Sequence, residues 1–246
     1  MQAKIMTHLI TYYPGKEESL KVAKALIDGG TSYLEFQFPF SDPTADGVYI
    51  QRACQRAIDN GFSVKEGFCQ LAAIKKLAGS IPVFVMSYGN LVFKRGVKAF
   101  LQECRNAGAE GVIIPDFPPD YDEGLYKTAT DLGLAAIPVI APTISDERLK
   151  LAADTGSPYI YASLRKGITG TKTDISEENI RFLNRIKPYG VKVLGGFGIT
   201  EKSQVELLAP YVHAAVVGSA FIKAIMEYGE DKNPYEPVLQ LMKKLV

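Results

Sequence analysis

The chain has 246 residues, 47% of them apolar and 22% charged, with a formal net charge of +1. That balance fits a soluble globular protein and offers no strong field to draw it to nucleic acid or an anionic membrane. No apolar run approaches the roughly 20 residues of a membrane helix, and Met1-Gln2-Ala3-Lys4 lacks the apolar core of a signal peptide. Three cysteines (Cys54, Cys69, Cys104) cannot close a disulfide framework, and they read as small core or half-buried residues of helical segments. The two histidines, His8 and His213, lie far apart, and no Cys/His cluster has metal-ligand spacing, so no metal site is expected. A reducing, cytoplasmic location is the simplest expectation.

Short β-rich runs alternate with helical patterns from end to end. Strands are expected at 7–11, 33–38, 82–87, 111–116, 135–141, 159–164, 191–196 and 214–218. Most are nearly continuous apolar runs, as befits a parallel sheet covered by helices. Between them, 17–28 places Leu20, Ala23, Lys24 and Ile27 at helical spacing and stops at Gly29-Gly30. Helices are also expected at 96–107, 120–132, 145–153, 176–186 and 201–208. Ser145-Asp146-Glu147 and Ser176-Glu177-Glu178 read as capped, acid-rich starts. Eight strand–helix units without an intervening linker favour one α/β domain over residues 1–246, a closed (β/α)8 barrel of the TIM type. The first strand is not followed by Gly-x-Gly-x-x-Gly, which weakens a dinucleotide-binding alternative.

In such a barrel, chemistry belongs at the C-terminal ends of the strands. The second strand carries Glu35 inside an apolar run, and the loop after it carries Asp46 between Pro43 and Gly47. Buried acids are costly unless paired, neutralised or used. Two acids in different environments form a natural acid/base pair, although structural networks bury carboxylates too. Gly196-Phe197-Gly198-Ile199 follows strand seven and Gly218-Ser219-Ala220 follows strand eight. Each could be only a tight turn. Together, in these two loops, they favour phosphate held by backbone N–H groups. The sixth loop, with Gly167, Thr169, Gly170 and Thr171, has the make-up of a lid or of an ordinary exposed loop. Tyr88 and Tyr161 lie near strand ends, where phenols pack a core or line a mouth; Arg165 and Lys166 read as solvated surface.

Pro39-Phe40-Ser41-Asp42-Pro43 followed by Ala45-Asp46-Gly47 resembles the signature of the tryptophan synthase α subunit family. Met86-Ser87-Tyr88-Gly89-Asn90, Ile114-Pro115-Asp116-Phe117-Pro118, Ala141-Pro142-Thr143 and Gly167-Ile168-Thr169-Gly170 resemble it in the same order, as do the last two glycine turns. The resemblance implies a lyase that cleaves indole-3-glycerol phosphate to indole and glyceraldehyde 3-phosphate, with no cofactor in this chain. By the same resemblance Glu35 and Asp46 are the catalytic acids. Gly170, Gly198 and Ser219 hold the phosphate, flanked by Phe197 and Gly218. Tyr161 lies near Glu35, and Thr169 closes on Asp46. Pro39 and Asp42 face a β subunit that carries pyridoxal phosphate in an α2β2 assembly. Gln37 departs from the family's usual glycine, and Thr44, Val48-Tyr49 and Ser163-Leu164-Arg165 also differ. Two alternatives stay open. One is an enzyme working alone, either an indole-releasing lyase or a related phosphosugar isomerase or epimerase. The other is a non-catalytic partner that only activates another enzyme.

Overall fold

A computed structural model describes residues 4–164, 175–196 and 198–246. Its sheet has nine strands: β1 (Ile5–Ile10), β2 (Tyr33–Gln37), β3 (Val83–Met86), β4 (Gly111–Ile113), β5 (Ala135–Ile137), β6 (Val139–Ile140), β7 (Tyr159–Ser163), β8 (Lys192–Gly196) and β9 (Ala214–Val217). The order is β5-β4-β3-β2-β1-β9-β8-β7-β6, and the paired neighbours are parallel. β5 and β6 are halves of the single strand expected at 135–141. Pro138 divides them because it has no N–H for the ladder. Its carbonyl still accepts from Tyr161 N at 2.9 Å, so the row of bonds to β7 continues across the break. With β5 and β6 as one position, the strands form the nearly closed eight-position barrel expected of the sequence.

The pleat sorts side chains into two cores. On β2, Leu34 and Phe36 pack outward against the helices, while Tyr33, Glu35 and Gln37 point inward. The inner core includes Met6, Tyr33, Phe84, Ile113, Leu194 and Val216. Its lower end is closed by Tyr33, Phe84, Tyr159 and His213, whose rings meet at 5.3–6.3 Å, with a 2.7 Å hydrogen bond between Tyr33 OH and His213 Nε2. The barrel is therefore solid at the strands' N-terminal ends, and open space remains at the other end.

Most expected helices form within a residue or two. Ser145 accepts from Arg148 N at the start of Asp146–Ala153, and Ser176 makes a reciprocal cap with Asn179 at the start of Glu177–Ile186. The segment expected at 120–132 begins helix only at Leu125, because both Asp122 oxygens bind Gly124 N and Tyr126 N in a preceding turn and Gly124 adopts φ +77°. Helices Val48–Asp59 and Val64–Ala78 contain Cys54 and Cys69, which the sequence places in helical segments without assigned bounds, whereas Gly89–Arg95, Ser219–Tyr228 and Tyr235–Leu245 were not among those expected. Val48–Asp59 opens on Val48-Tyr49-Ile50 behind an N-terminal Gly47 that offers no side-chain cap, so its local signal is weak. Cys54 and Cys104 are buried as expected, but Cys69 is exposed, on the outer face of Val64–Ala78.

Beneath β2, Phe38 meets Phe36, Phe62, Phe68 and Phe100 edge-on at 5.1–5.9 Å. This cluster ties the strand that carries Glu35 to its covering helices. Phe100 is fully buried in it. Phe100→Ala is expected to lower stability by about 3–5 kcal/mol in a urea titration. A loss below about 1 kcal/mol would show that the cluster closes up without it.

Candidate active site

The cavity lies at the strands' C-terminal ends, encloses about 550 Å³ including its mouth, and is lined by His8, Glu35, Asp46, Tyr161, Gly198, Gly218 and Ser219 among others. Ala45, Ile50, Met86, Ile113, Pro115, Val139 and Val216 make much of the remaining wall. An apolar slot thus lies beside two acids, with a glycine-rich end opposite.

Each acid is positioned by local geometry. Glu35 points inward by strand alternation and is 4% exposed. On the neighbouring strand His8 sits directly opposite it, with Nδ1 3.4 Å from Glu35 Oε2. Asp46 reaches back from its loop, which is folded by Asp46 N donating to Pro43 O at 3.0 Å and by Gln51 Nε2 donating to Asp46 O at 2.8 Å. Its carboxylate is 5% exposed. Gln37 Nε2 and Tyr88 OH both donate to Oδ2 at 2.8 Å. Tyr88 OH in turn accepts from Ala45 N at 3.1 Å, and its ring stacks on Phe40. Among the described residues both of these side-chain donors fall on one oxygen, Oδ2.

Burial dominates the electrostatics. It pushes Asp46 above the usual carboxylate range, although the His8 charge and the Tyr88 and Gln37 hydrogen bonds pull it back in part. For His8, burial is the largest single influence and lowers the pKa, but the charge and hydrogen bond of Glu35, the Asp46 charge and Gln37 together outweigh it, and the imidazole pKa is raised. Burial and the two carboxylates push the Tyr161 phenol well above its ordinary value, which keeps it a neutral donor.

At the far end, Ser219 opens the ten-residue helix Ser219–Tyr228 directly after β9. Gly198 adopts φ +77° in the turn after β8. A Cβ on Gly218 would lie 3.1 Å from His8 Cβ, so any larger residue there would press His8 back by a few tenths of an ångström. Helix N-terminal amides beside small residues are suited to an anion.

Of the residues singled out in the sequence, Glu35, Asp46, Tyr161, Gly198, Gly218 and Ser219 come together in this one cavity. Thr169, Gly170 and Phe197 lie outside the described residues. Pro39 and Asp42 sit on the rim loop, where Pro39 is buried and Asp42 exposed. The sequence reading gave no part to His8 and treated Gln37 only as a departure. The signal for both is register: His8 and Gln37 fall on the same inward face as Glu35 once β1 and β2 are paired. Among the described residues no group of three or more His, Cys, Asp or Glu side chains could hold a metal ion.

Comparison with known proteins agrees with this geometry. The sequence model of the Tryptophan synthase alpha chain family matches residues 1–244. The tryptophan synthase alpha chain of Helicobacter hepaticus is 37% identical over 230 residues, which span 91% of this chain and 86% of the relative. That of Carboxydothermus hydrogenoformans is 36% identical over 239 residues, spanning 95% and 89%. Among solved structures, Mycobacterium tuberculosis tryptophan synthase superposes with a TM-score of 0.89 at 28% identity, covering 99% of this chain and 91% of that one. The Pyrococcus furiosus tryptophan synthase complex gives a TM-score of 0.88 at 29% identity, covering 98% and 97%. With a barrel of this form, and a match over nearly its whole length, the chain belongs to the tryptophan synthase alpha chain family.

Proposed function

We propose that this chain is a carbon–carbon lyase that cleaves indole-3-glycerol phosphate to indole and glyceraldehyde 3-phosphate, with Glu35 and Asp46 as its acid pair. One observation carries the reading: both acids face a single apolar slot that ends at the Gly198, Gly218 and Ser219 turns. The indole ring fills the slot, and the phosphate lies against the turn amides and the N-terminus of Ser219–Tyr228. Asp46 accepts the indole N–H and stabilises the positive charge that grows on the ring as C3 is protonated. Glu35 delivers that proton to C3. As the bond from C3 to the glycerol carbon breaks, its electron pair returns to the ring. Glu35 takes the proton of the glycerol hydroxyl, whose carbon becomes the aldehyde. No proton is gained or lost over the cycle.

The chain works as the alpha subunit beside a beta subunit, which receives the indole. Pyridoxal phosphate chemistry is assigned to that partner and not to this barrel. The exposed rim around Asp42 supplies part of the docking face. Among the described residues no helix is long and apolar enough to cross a membrane, and the reading places the enzyme in the cytoplasm with the rest of tryptophan biosynthesis.

Indole release from indole-3-glycerol phosphate, measured with and without a beta subunit, tests the reading. Glu35→Gln and Asp46→Asn are each expected to lose about 10²–10⁴-fold in kcat. A wild-type chain that releases no indole under either condition would leave only a non-catalytic role. Full activity that never rises on adding the beta subunit would indicate an enzyme working alone.

An acid kept for catalysis under burial also has a stability signature. The folded-state pKa of Asp46 is raised, so its contribution is present below the unfolded pKa and is lost as pH rises through the folded value. Asp46→Asn is therefore expected to gain stability over wild type at pH 7, by a margin that shrinks toward pH 4. Thermal unfolding of both proteins at the two pH values checks this. A margin that is constant, or that grows on acidification, would contradict the burial of an ionising carboxylate.

A further inference from the structure

The acid pair as described leaves His8, a buried ionisable side chain of the same cavity, unused. His8 is 4% exposed on β1, and its imidazole stands between Glu35 and the turn after β9. Nδ1 is 3.4 Å from Glu35 Oε2. Nε2 is buried and has no hydrogen-bond partner among the described residues. A buried ring nitrogen left unpartnered is unfavourable for a side chain that only packs. The groups that face the ring can be named on every side. Glu35 and, one layer above it, the Gln37 amide come from β2, and Asp46 from the loop. Tyr161 from β7 shares the cavity and feels both carboxylates. β9 and its turn bring Val216 and Gly218, which carry no charge. Among the described residues, two acids and no second cation therefore surround His8.

We propose that His8 is a positioning residue for Glu35: Nδ1 fixes the carboxylate at the cavity wall and exchanges a proton with it in each turnover. The inference rests on the lyase reading and deepens it. In the forward direction the Nδ1 proton passes to Oε2, leaving a neutral imidazole and a protonated Glu35, which protonates C3 of the indole. When the carbon–carbon bond breaks, the glycerol hydroxyl proton passes to Glu35 and on to Nδ1, restoring the starting state. The chemistry asked of one carboxyl is thereby spread over two side chains. The raised pKa of His8 fits the same arrangement, since Glu35, with Asp46 and Gln37, offsets the effect of burial.

Two variants and one spectroscopic titration test this. His8→Phe keeps a flat ring and removes the nitrogen. It is expected to lower kcat about 10²-fold, as for a misplaced catalytic group, to leave KM within a few-fold, and to abolish the alkaline limb of the wild-type kcat–pH profile. His8→Asn keeps a donor near the place of Nδ1. It is expected to recover part of kcat but not that limb, whereas a packing role predicts no change of profile in either variant. Independently of activity, NMR titration of the imidazoles should show the His8 pKa falling in Glu35→Gln. His213, held below its ordinary value by burial with Lys4 and Lys192 nearby, serves as the internal reference. Wild-type kcat and pH profile in His8→Phe would overturn the inference, as would a His8 titration indifferent to Glu35→Gln. If His8→Phe does not fold, His8→Asn and the titration decide alone. An inactive wild type, with or without beta subunit, removes the lyase reading and this inference together. An active wild type with an indifferent His8 removes only the inference.

Discussion

Everything at this end of the barrel depends on how a mostly apolar interior accommodates charge. His8, Glu35, Gln37 and Asp46 are each no more than 5% exposed, and for the most part they have one another as partners. An isolated ion in such surroundings would neutralise itself. Here one cation-forming ring faces two carboxylates, and the Gln37 amide and Tyr88 phenol take up one oxygen of Asp46. The set is left incompletely satisfied, with Gln37 Oε1 and His8 Nε2 both unpartnered among the described residues. Incomplete satisfaction is expected where a binding site waits for a ligand to complete it.

The division of the barrel into two ends follows from the same constraint. Below Glu35 the interior is closed by Tyr33, Phe84, Tyr159 and His213, a packed floor with its own internal hydrogen bond. Above it an apolar slot shares the wall with polar side chains and with the glycines at 198 and 218. The floor holds β2 from inside and the Phe38 cluster holds it from outside, so Glu35 stands on a rigid strand. Asp46 is held differently. It belongs to a loop and owes its direction to side chains from β2, from Val48–Asp59 and from the segment after β3. A fixed acid and a loop-borne one suit a site in which one group transfers protons and the other recognises the ring.

Much of this was legible in the sequence, for identifiable reasons. Apolar strands at regular intervals and Ser-capped helices at 145 and 176 report local preferences that tertiary structure has no cause to override. The Glu35–Asp46 spacing and the two glycine turns are likewise local features, and a barrel brings them together by topology. What was not legible depends on pairing. Nothing in Ile5–Ile10 itself distinguishes His8 from a core histidine until β1 is set against β2. Pro138 divides a strand without interrupting the sheet, because its carbonyl remains available to Tyr161. The helix Val48–Asp59 begins on residues of poor helical preference, and its tertiary packing supplies what its ends lack.

The close approach of Gly218 to His8 makes the seam between the first and last strands a shared wall. On one side that wall lines the glycine-rich end of the cavity proposed for the phosphate, and on the other it backs the ring beside Glu35. A side chain gained at residue 218 therefore acts on residue 8 as well. Any methyl group gained at residue 218 must be accommodated by a smaller or displaced neighbour at residue 8, and redesign of this pocket for a bulkier or differently charged tail would have to move both together.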